Sequence, residues 1–264
     1  MKIIMMEVSK IGRIFVCGDL HGSALAIQRI LTQIDNPQHD DFIIVCGDAG
    51  FEYQEYIMGS AKKKAKKFPG TWIVLRGNHD SRYWKEHANS TSGKWEVFAY
   101  QDGEYLREKK YPNIWYLPDE GCIYRLNDYN ILFIPGAYSV DKNYRLNNGY
   151  PWNPAEQLNV AEKYNLKMIA NQWCENGFDI DFVIAHTFPM YVQPLYEDLF
   201  MSGIDQSSVD KSMEKWLNQM VMIYENNSNF KHYFGGHFHD DRKLDEYYTM
   251  LYHKVVNLAD YEKE

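Results

Sequence analysis

Aspartates, histidines and one asparagine recur in short glycine-flanked clusters along this 264-residue chain. Asp19 and His21 stand in Gly18-Asp19-Leu20-His21-Gly22, Asp48 in Gly47-Asp48, Asn78 and His79 in Gly77-Asn78-His79-Asp80, and His237 and His239 in Gly236-His237-Phe238-His239, with His186 by itself. Carboxylate oxygen and imidazole nitrogen together suit Mn, Fe, Co, Ni or Zn, and no cysteine stands among these residues to favour a soft metal. Asp19 and His21 are two residues apart, so a turning backbone can face both side chains to one point; His237 and His239 repeat that spacing. Asp48 has two oxygens and can bridge two ions, which in two-metal sites sit roughly 3.5–4 Å apart. Two divalent ions bring four positive charges, Asp19 and Asp48 remove two and a bridging hydroxide one, which leaves about +1 at the site. A positive pocket of this kind attracts a phosphoryl group, polarises its oxygens and supplies a nucleophile, and the chemistry that follows is hydrolysis.

These clusters need elements to aim them. Short apolar runs precede each one: Ile14–Cys17, Phe42–Cys46, Trp72–Leu75, Phe182–Ala185 and Tyr233-Phe234. Runs of this length and composition read as buried strands, with the glycines marking the turns beyond them. Ser23 caps a helix whose Ile27, Ile30, Leu31 and Ile34 share a face, which makes a β-α-β unit. Asn153-Pro154, with Glu156 three residues after the cap, predicts a helix running toward Ala170. Val209, Met213, Trp216, Leu217 and Met220 predict another over Ser208 to Tyr224. Alternating strands and helices imply an α/β layered fold whose strand C-termini open toward one crevice. We expect one domain over residues 1–264, with 81–130 and 187–230 as insertions or cap elements.

Composition narrows the partners. With 28 basic against 36 acidic residues the net charge is −8, which argues against holding nucleic acid by bulk counter-ion release. Cys17, Cys46, Cys122 and Cys174 are widely spaced and read as reduced thiols. The apolar start of the chain is too short for a signal peptide and no apolar stretch reaches 18 residues, so the expectation is a soluble cytoplasmic protein with no membrane partner. The basic run Lys62–Lys67 reads as a solvated helix face, and the aromatic stretches Tyr53–Tyr56, Trp95–Tyr105 and Tyr111–Tyr116 as core and edge packing. His39, His87, His232 and His253 belong to no cluster and read as exposed or structural.

Taken in order, the five clusters resemble the signature blocks of the calcineurin-like metallophosphoesterases, a resemblance that spans Asp19 to His239. It implies a two-sheet β-sandwich flanked by helices. It implies one metal held by Asp19, His21, Asp48 and His239, a second by Asp48, Asn78, His186 and His237, and Asp48 as the bridge. The ions would be two divalent transition metals, Mn, Fe, Zn or Ni, with Mn favoured. His79 matches the family histidine that contacts the phosphate and protonates or stabilises the leaving oxygen. The wording looks like the protein serine/threonine phosphatase branch, but Phe51 and Glu52 stand where that branch has an Asp that orients the catalytic histidine and an Arg that binds phosphate. Asp80 or Glu52 is left to orient His79, and we take Asp80 as the catalytic partner. A replacement phosphate clamp is expected in Gly136–Arg145, with Arg145 as a bidentate contact and Lys142 as a point charge; Arg82 is a weaker candidate. The function expected is a phosphomonoesterase using a metal-bridging hydroxide on a phosphorylated small molecule, nucleotide or phosphoprotein. A phosphodiesterase or nuclease on nucleotides or nucleic acid is the alternative. A non-catalytic scaffold is disfavoured because no ligand of the set is missing.

Overall fold

The computed structural model describes residues 11–53, 61–150, 152–200, 207, 209–225 and 229–262. The apolar start of the chain, residues 1–10, lies outside them, as do Tyr56 and Ser208. One seven-stranded sheet contains β1 (Ile14–Cys17), β2 (Phe42–Val45), β3 (Thr71–Val74), β4 (Trp95–Tyr100), β5 (Gly103–Glu108), β6 (Ile114–Tyr116) and β13 (Val255–Asn257) in the order β13-β1-β2-β3-β6-β5-β4. A six-stranded sheet contains β7 (Cys122–Leu126), β8 (Tyr129–Ile134), β9 (Phe182–Ala185), β10 (His232–Gly235), β11 (Arg242–Lys243) and β12 (Tyr248–Met250) in the order β11-β12-β10-β9-β8-β7. The chain is thus α/β, with two sheets and flanking helices.

Strands β1, β2 and β9 are apolar at every position because each is covered on both faces. Alternate side chains go to different cores. Val16, Ile44 and Ile73 point between the sheets, where they meet Phe133, Ile184 and Phe234. Cys17, Val45 and Val74 point outward and pack with Ile27 and Ile30 of α1 (Ala24–Leu31). On the other outer face Leu132, Ile134 and Val183 pack with Leu166 and Ala170 of α4 (Val160–Glu175) and Met213 and Leu217 of α5 (Ser212–Tyr224). Two short helices, α2 (Tyr83–His87) and α3 (Lys142–Asn147), complete the numbered set.

Ser23 caps α1 as expected, its hydroxyl accepting from Ala26 N. The predicted start of α4 is displaced. Asn153 accepts from Ala155 N at 2.9 Å in a turn, and the helix begins only after Asn159, which forms a capping box with Glu162. Glu156 is drawn away from a capping role because its carboxylate is already held by Ser139 and Trp152. The basic run is not a wholly solvated face either: Lys62 is buried and paired with Glu52 and, at 2.7 Å, with Glu108. His232 is buried against Thr249, and His87 stacks on Trp95.

Register is what gathers the site. In the first sheet Cys17 pairs with Val45 and Val45 with Val74, all parallel. In the second Gly235 pairs with Ala185 and Ala185 with Ile134, again parallel. Six strands therefore end level, and the loops that follow them meet at one edge of the sandwich.

Candidate metal centre

Each cluster leaves its strand by a sharp turn, and the turns are costly. His21, Asp48, His237 and His239 all have φ between 46° and 71°, in the left-handed region where a Cβ is disfavoured by roughly 1–2 kcal/mol. Only three other non-glycine residues share that conformation among the described residues. Strain concentrated on four residues of one cluster points to a role that the surrounding fold holds in place. Two glycines let the loops close up. A Cβ on Gly77 would lie 2.1 Å from Asp48 Oδ1, and one on Gly236 would lie 2.2 Å from Asp19 Oδ1.

Two groups of donors form where the loops meet. Asp19, His21 and His239 offer atoms within 4.8 Å of one another, as do Asp19, Asp48 and His186. His239 Nε2 lies 3.2 Å from Asp19 Oδ2 and 2.8 Å from His21 Nε2, and His186 Nε2 lies 3.5 Å from Asp48 Oδ2. Asn78 Oδ1 is 2.7 Å from His186 Nε2 and 3.1 Å from His237 Nδ1, so Asn78 and His237 close the second group. The structure thus brings together all seven residues named from sequence as ligands.

The arrangement fits a pair of cations on its own chemistry. His186 Nδ1 donates to the carbonyl of Cys46 at 2.7 Å, which fixes the tautomer and turns the Nε2 lone pair toward Asp48 and Asn78. Asn78 spends its amide donor on Ser139 Oγ at 2.8 Å, so its carbonyl also faces inward as an acceptor. Asp19 Oδ2 is buried and accepts no well-aligned hydrogen bond, its nearest neighbours being the His239 and His21 ring nitrogens at 3.2 and 3.6 Å, and such a group costs about 1–3 kcal/mol unless a proton or a metal meets it. Protons compete for the same place. Burial alone would push the Asp19 and Asp48 carboxyls up, but His21 and His239 beside Asp19, and His186 beside Asp48, hold both well below the usual carboxylate range. Burial works against a charged His186, yet Asp48 raises it to about 9, while burial and His186 push His237 down to about 3.

Around this centre stand groups that sequence reasoning missed. Ser139 Oγ donates to Glu156 Oε2 at 2.5 Å, Ser139 N donates to Glu156 Oε1 at 3.0 Å, and Trp152 Nε1 donates to Glu156 Oε2 at 2.8 Å. This buried chain fixes the Asn78 amide. Its only sequence signal was a serine within the segment suspected of a clamp.

The other expected residues are placed as follows. His79 is anchored by its backbone N–H, which donates to Asp48 Oδ1 at 2.8 Å, and its ring lines a cavity with Asp48 and Asn78. Burial, with Arg145 near, lowers its pKa below the ordinary histidine value. Asp80 does not orient it: the Asp80 carboxylate accepts from Gly77 N at 3.0 Å, Gly50 N at 3.2 Å and Tyr83 OH at 3.0 Å, a turn clamp, and burial beside Asp48 pushes it up to about 6. Glu52 is likewise occupied, by Lys62 and by the Tyr116 hydroxyl at 2.8 Å. Arg145 pairs with Asp141 at 2.7 Å on α3 and acts electrostatically on His79, whereas the Lys142 ammonium sits 4.2 Å from the centre of the Trp152 ring. Arg82 is bidentate to Glu162, at 2.6 and 3.0 Å, and so ties α2 to α4 instead of facing the site.

Compared with known families, residues 12–241 match the calcineurin-like phosphoesterases. The chain belongs to the calcineurin-like phosphoesterase family. Membership carries hydrolysis of phosphoesters and dependence on divalent ions as its general chemistry, and the Asp and His groups above are the donors this family member offers. No curated protein matches the chain. Among solved structures the phosphoesterase is similar to the protein of unknown function AQ665 from Aquifex aeolicus, with 14% identity over 66% of this chain and 80% of that one and a TM-score of 0.31.

Proposed function

We propose that this phosphoesterase is a phosphomonoesterase that works with two divalent transition-metal ions, Mn favoured, in the cytoplasm. The observation that carries the reading is the pair of donor groups sharing Asp19, with an orphaned carboxylate oxygen and converging acceptors between them. Asp19, His21, Asp48 and His239 would hold one ion, and Asp48, Asn78, His186 and His237 the other. Such ions supply a nucleophile from water at neutral pH and polarise the phosphoryl oxygens. His79 stands beside the centre as the acid that gives a proton to the leaving oxygen, its position set by the bond from its backbone to Asp48. Arg145, held by Asp141, contributes positive charge on the same side. The described part of 187–230, with Tyr196, Phe200 and Glu214 lining the cavity beside the centre, would serve as its cap.

The test is metal-stripped protein reconstituted with Mn, Ni, Zn or Fe, with bound metal counted and paired nitrophenyl monoester and diester substrates assayed. About two metals per chain with faster monoester turnover supports the reading. A faster diester moves it to the phosphodiesterase alternative, and no bound metal overturns it.

A further inference from the structure

His239 is the most exposed of the four imidazoles gathered as ligands. Its side chain is 47% open, against 29% for His21 and 0% for His186. Its Nε2 faces Asp19 and His21, so Nδ1 is the nitrogen left to steady the ring. For His186 that task falls to the carbonyl of Cys46, but among the described residues no hydrogen bond is made to His239 Nδ1. An imidazole without such a partner turns easily about its last torsion, and turning it takes the lone pair off the metal. A ring occupies the vacant role. Tyr252 stacks on His239 with ring centres 4.8 Å apart and planes within 19°. The fold delivers that ring deliberately. Gly235 of β10 pairs with Met250 of β12, and Leu251 N donates to Gly235 O at 2.8 Å, so Tyr252 emerges beside the loop that carries His237 and His239. Asp241, two residues beyond His239, then ties the loops together, its Oδ1 accepting from Tyr252 N and Lys254 N, both at 2.9 Å, and its Oδ2 from His253 N at 3.0 Å. From the other side the backbone presses on the residue before Asp19: a Cβ on Gly18 would lie 1.9 Å from Leu251 O. The Tyr252 ring also stacks on His253 at 3.8 Å, yet it is only half-buried and belongs to none of the three cores.

We infer that Tyr252, clamped by Asp241, is the positioning residue of His239, and that its ring face sets the affinity of the ion assigned to Asp19, His21, Asp48 and His239 while leaving the other ion alone. Two effects act together. The stack holds the imidazole in the plane that faces Asp19, and an imidazole that lends its lone pair to a cation becomes electron-poor, which the electron-rich face of a phenol attracts. The inference rests on the two-ion assignment made above and adds what separates the two ions: one relies on a hydrogen-bonded, buried histidine, the other on a stacked, exposed one.

The test is titration calorimetry of metal-stripped full chain with Mn²⁺, bound ions counted after dialysis, for the unaltered protein, Tyr252→Phe, Tyr252→Leu and Asp241→Asn. In Tyr252→Leu one of the two binding steps is expected to weaken by about ten-fold, the lower end for losing a group that orients a ligand, with the other step changed by less than about two-fold. Tyr252→Phe keeps the ring face and should restore both steps. Asp241→Asn leaves one carbonyl for three N–H groups and should weaken the same step by less than the leucine variant does. Both steps weakened alike in Tyr252→Leu would mark general loosening and overturn the inference, as would two unchanged steps, or a phenylalanine variant as weak as the leucine one. If Tyr252→Leu loses its circular dichroism, Asp241→Asn decides, and two unchanged steps there overturn the role. An unaltered protein that binds no manganese removes the centre and this inference with it. Selective loss of one ion in a protein that turns over no phosphomonoester keeps the role of Tyr252 and removes the phosphomonoesterase reading alone.

Discussion

Asp48 and His79 are joined by one hydrogen bond, yet the proposed centre gives them different consequences when lost. Asp48 stands in the second donor group, with Oδ2 toward His186 and Oδ1 accepting from His79 N, and is the bridge of the proposed centre. Asp48→Asn is therefore expected to lower bound metal from about two per chain to below one, with turnover lost in parallel. Elemental analysis beside the assay checks it; two tightly bound metals in the variant would contradict the bridging role. His79→Ala leaves every proposed ligand in place. Its metal content should stay unchanged while turnover of an alkyl phosphate falls by roughly 10²–10⁴. With nitrophenyl phosphate the loss should be smaller, because nitrophenolate departs without help from a proton. Equal losses on both substrates would remove His79 from the acid role. Asp80, named from sequence for its position beside His79, shows the limit of adjacency as a guide. Its carboxylate points at the backbone of two turns, a direction that spacing alone does not reveal.

At the scale of the element, the strands and their trailing clusters were legible because they are local. Ile14–Cys17 and Phe182–Ala185 are continuous apolar runs, and those are the strand limits found. The tie from Asn78 through Ser139 to Glu156 was not legible. It links three segments distant in the chain by side-chain geometry, and Glu156 also satisfied a plausible capping pattern that the fold overrode. Removing it tests its purpose: Glu156→Ala should weaken metal affinity by roughly 10–100-fold, read by calorimetry with Mn²⁺, because the Asn78 carbonyl is no longer held toward the centre. Unchanged affinity would make the tie a packing feature only. Helix α5 carries a second expectation. Burial pushes the Glu214 carboxyl up to about 7, from about 4.5, with Asp210 adding to the rise and Lys211 opposing it. The folded chain then binds this proton more tightly than the unfolded chain. The group's destabilising effect is absent below about pH 4.5, grows as pH rises, and is complete above about pH 7, on the order of 3 kcal/mol. Melting of Glu214→Gln against the unaltered protein should show the variant gaining in relative Tm from pH 5 to pH 8. A difference independent of pH would mean that the carboxyl titrates normally.

Over the whole molecule, the metal centre lies across the seam of the sandwich. Asp19, Asp48 and Asn78 follow β1, β2 and β3 of one sheet, while His186 and His237 follow β9 and β10 of the other. Ions held there join the two halves as well as serving chemistry. Free Mn²⁺ at a hundred times its Kd should add about 2.7 kcal/mol to stability, and excess chelator should remove it, both visible as shifts of Tm. A Tm indifferent to manganese that is demonstrably bound would mean that the unfolded chain binds it equally well.

The left-handed backbone at His21, Asp48, His237 and His239 has a further consequence, for descent. Glycine occupies that conformation without a Cβ penalty, so replacing one of these residues by glycine relieves the turn while it deletes a ligand. Working chemistry and a durable fold are thus separable properties here, and they pull in opposite directions at the same four positions. Where no ion is bound, a duplicated copy freed from catalytic duty has an open route to a sturdier, silent protein. A selection that rewards only abundance or heat resistance would favour that copy over its parent.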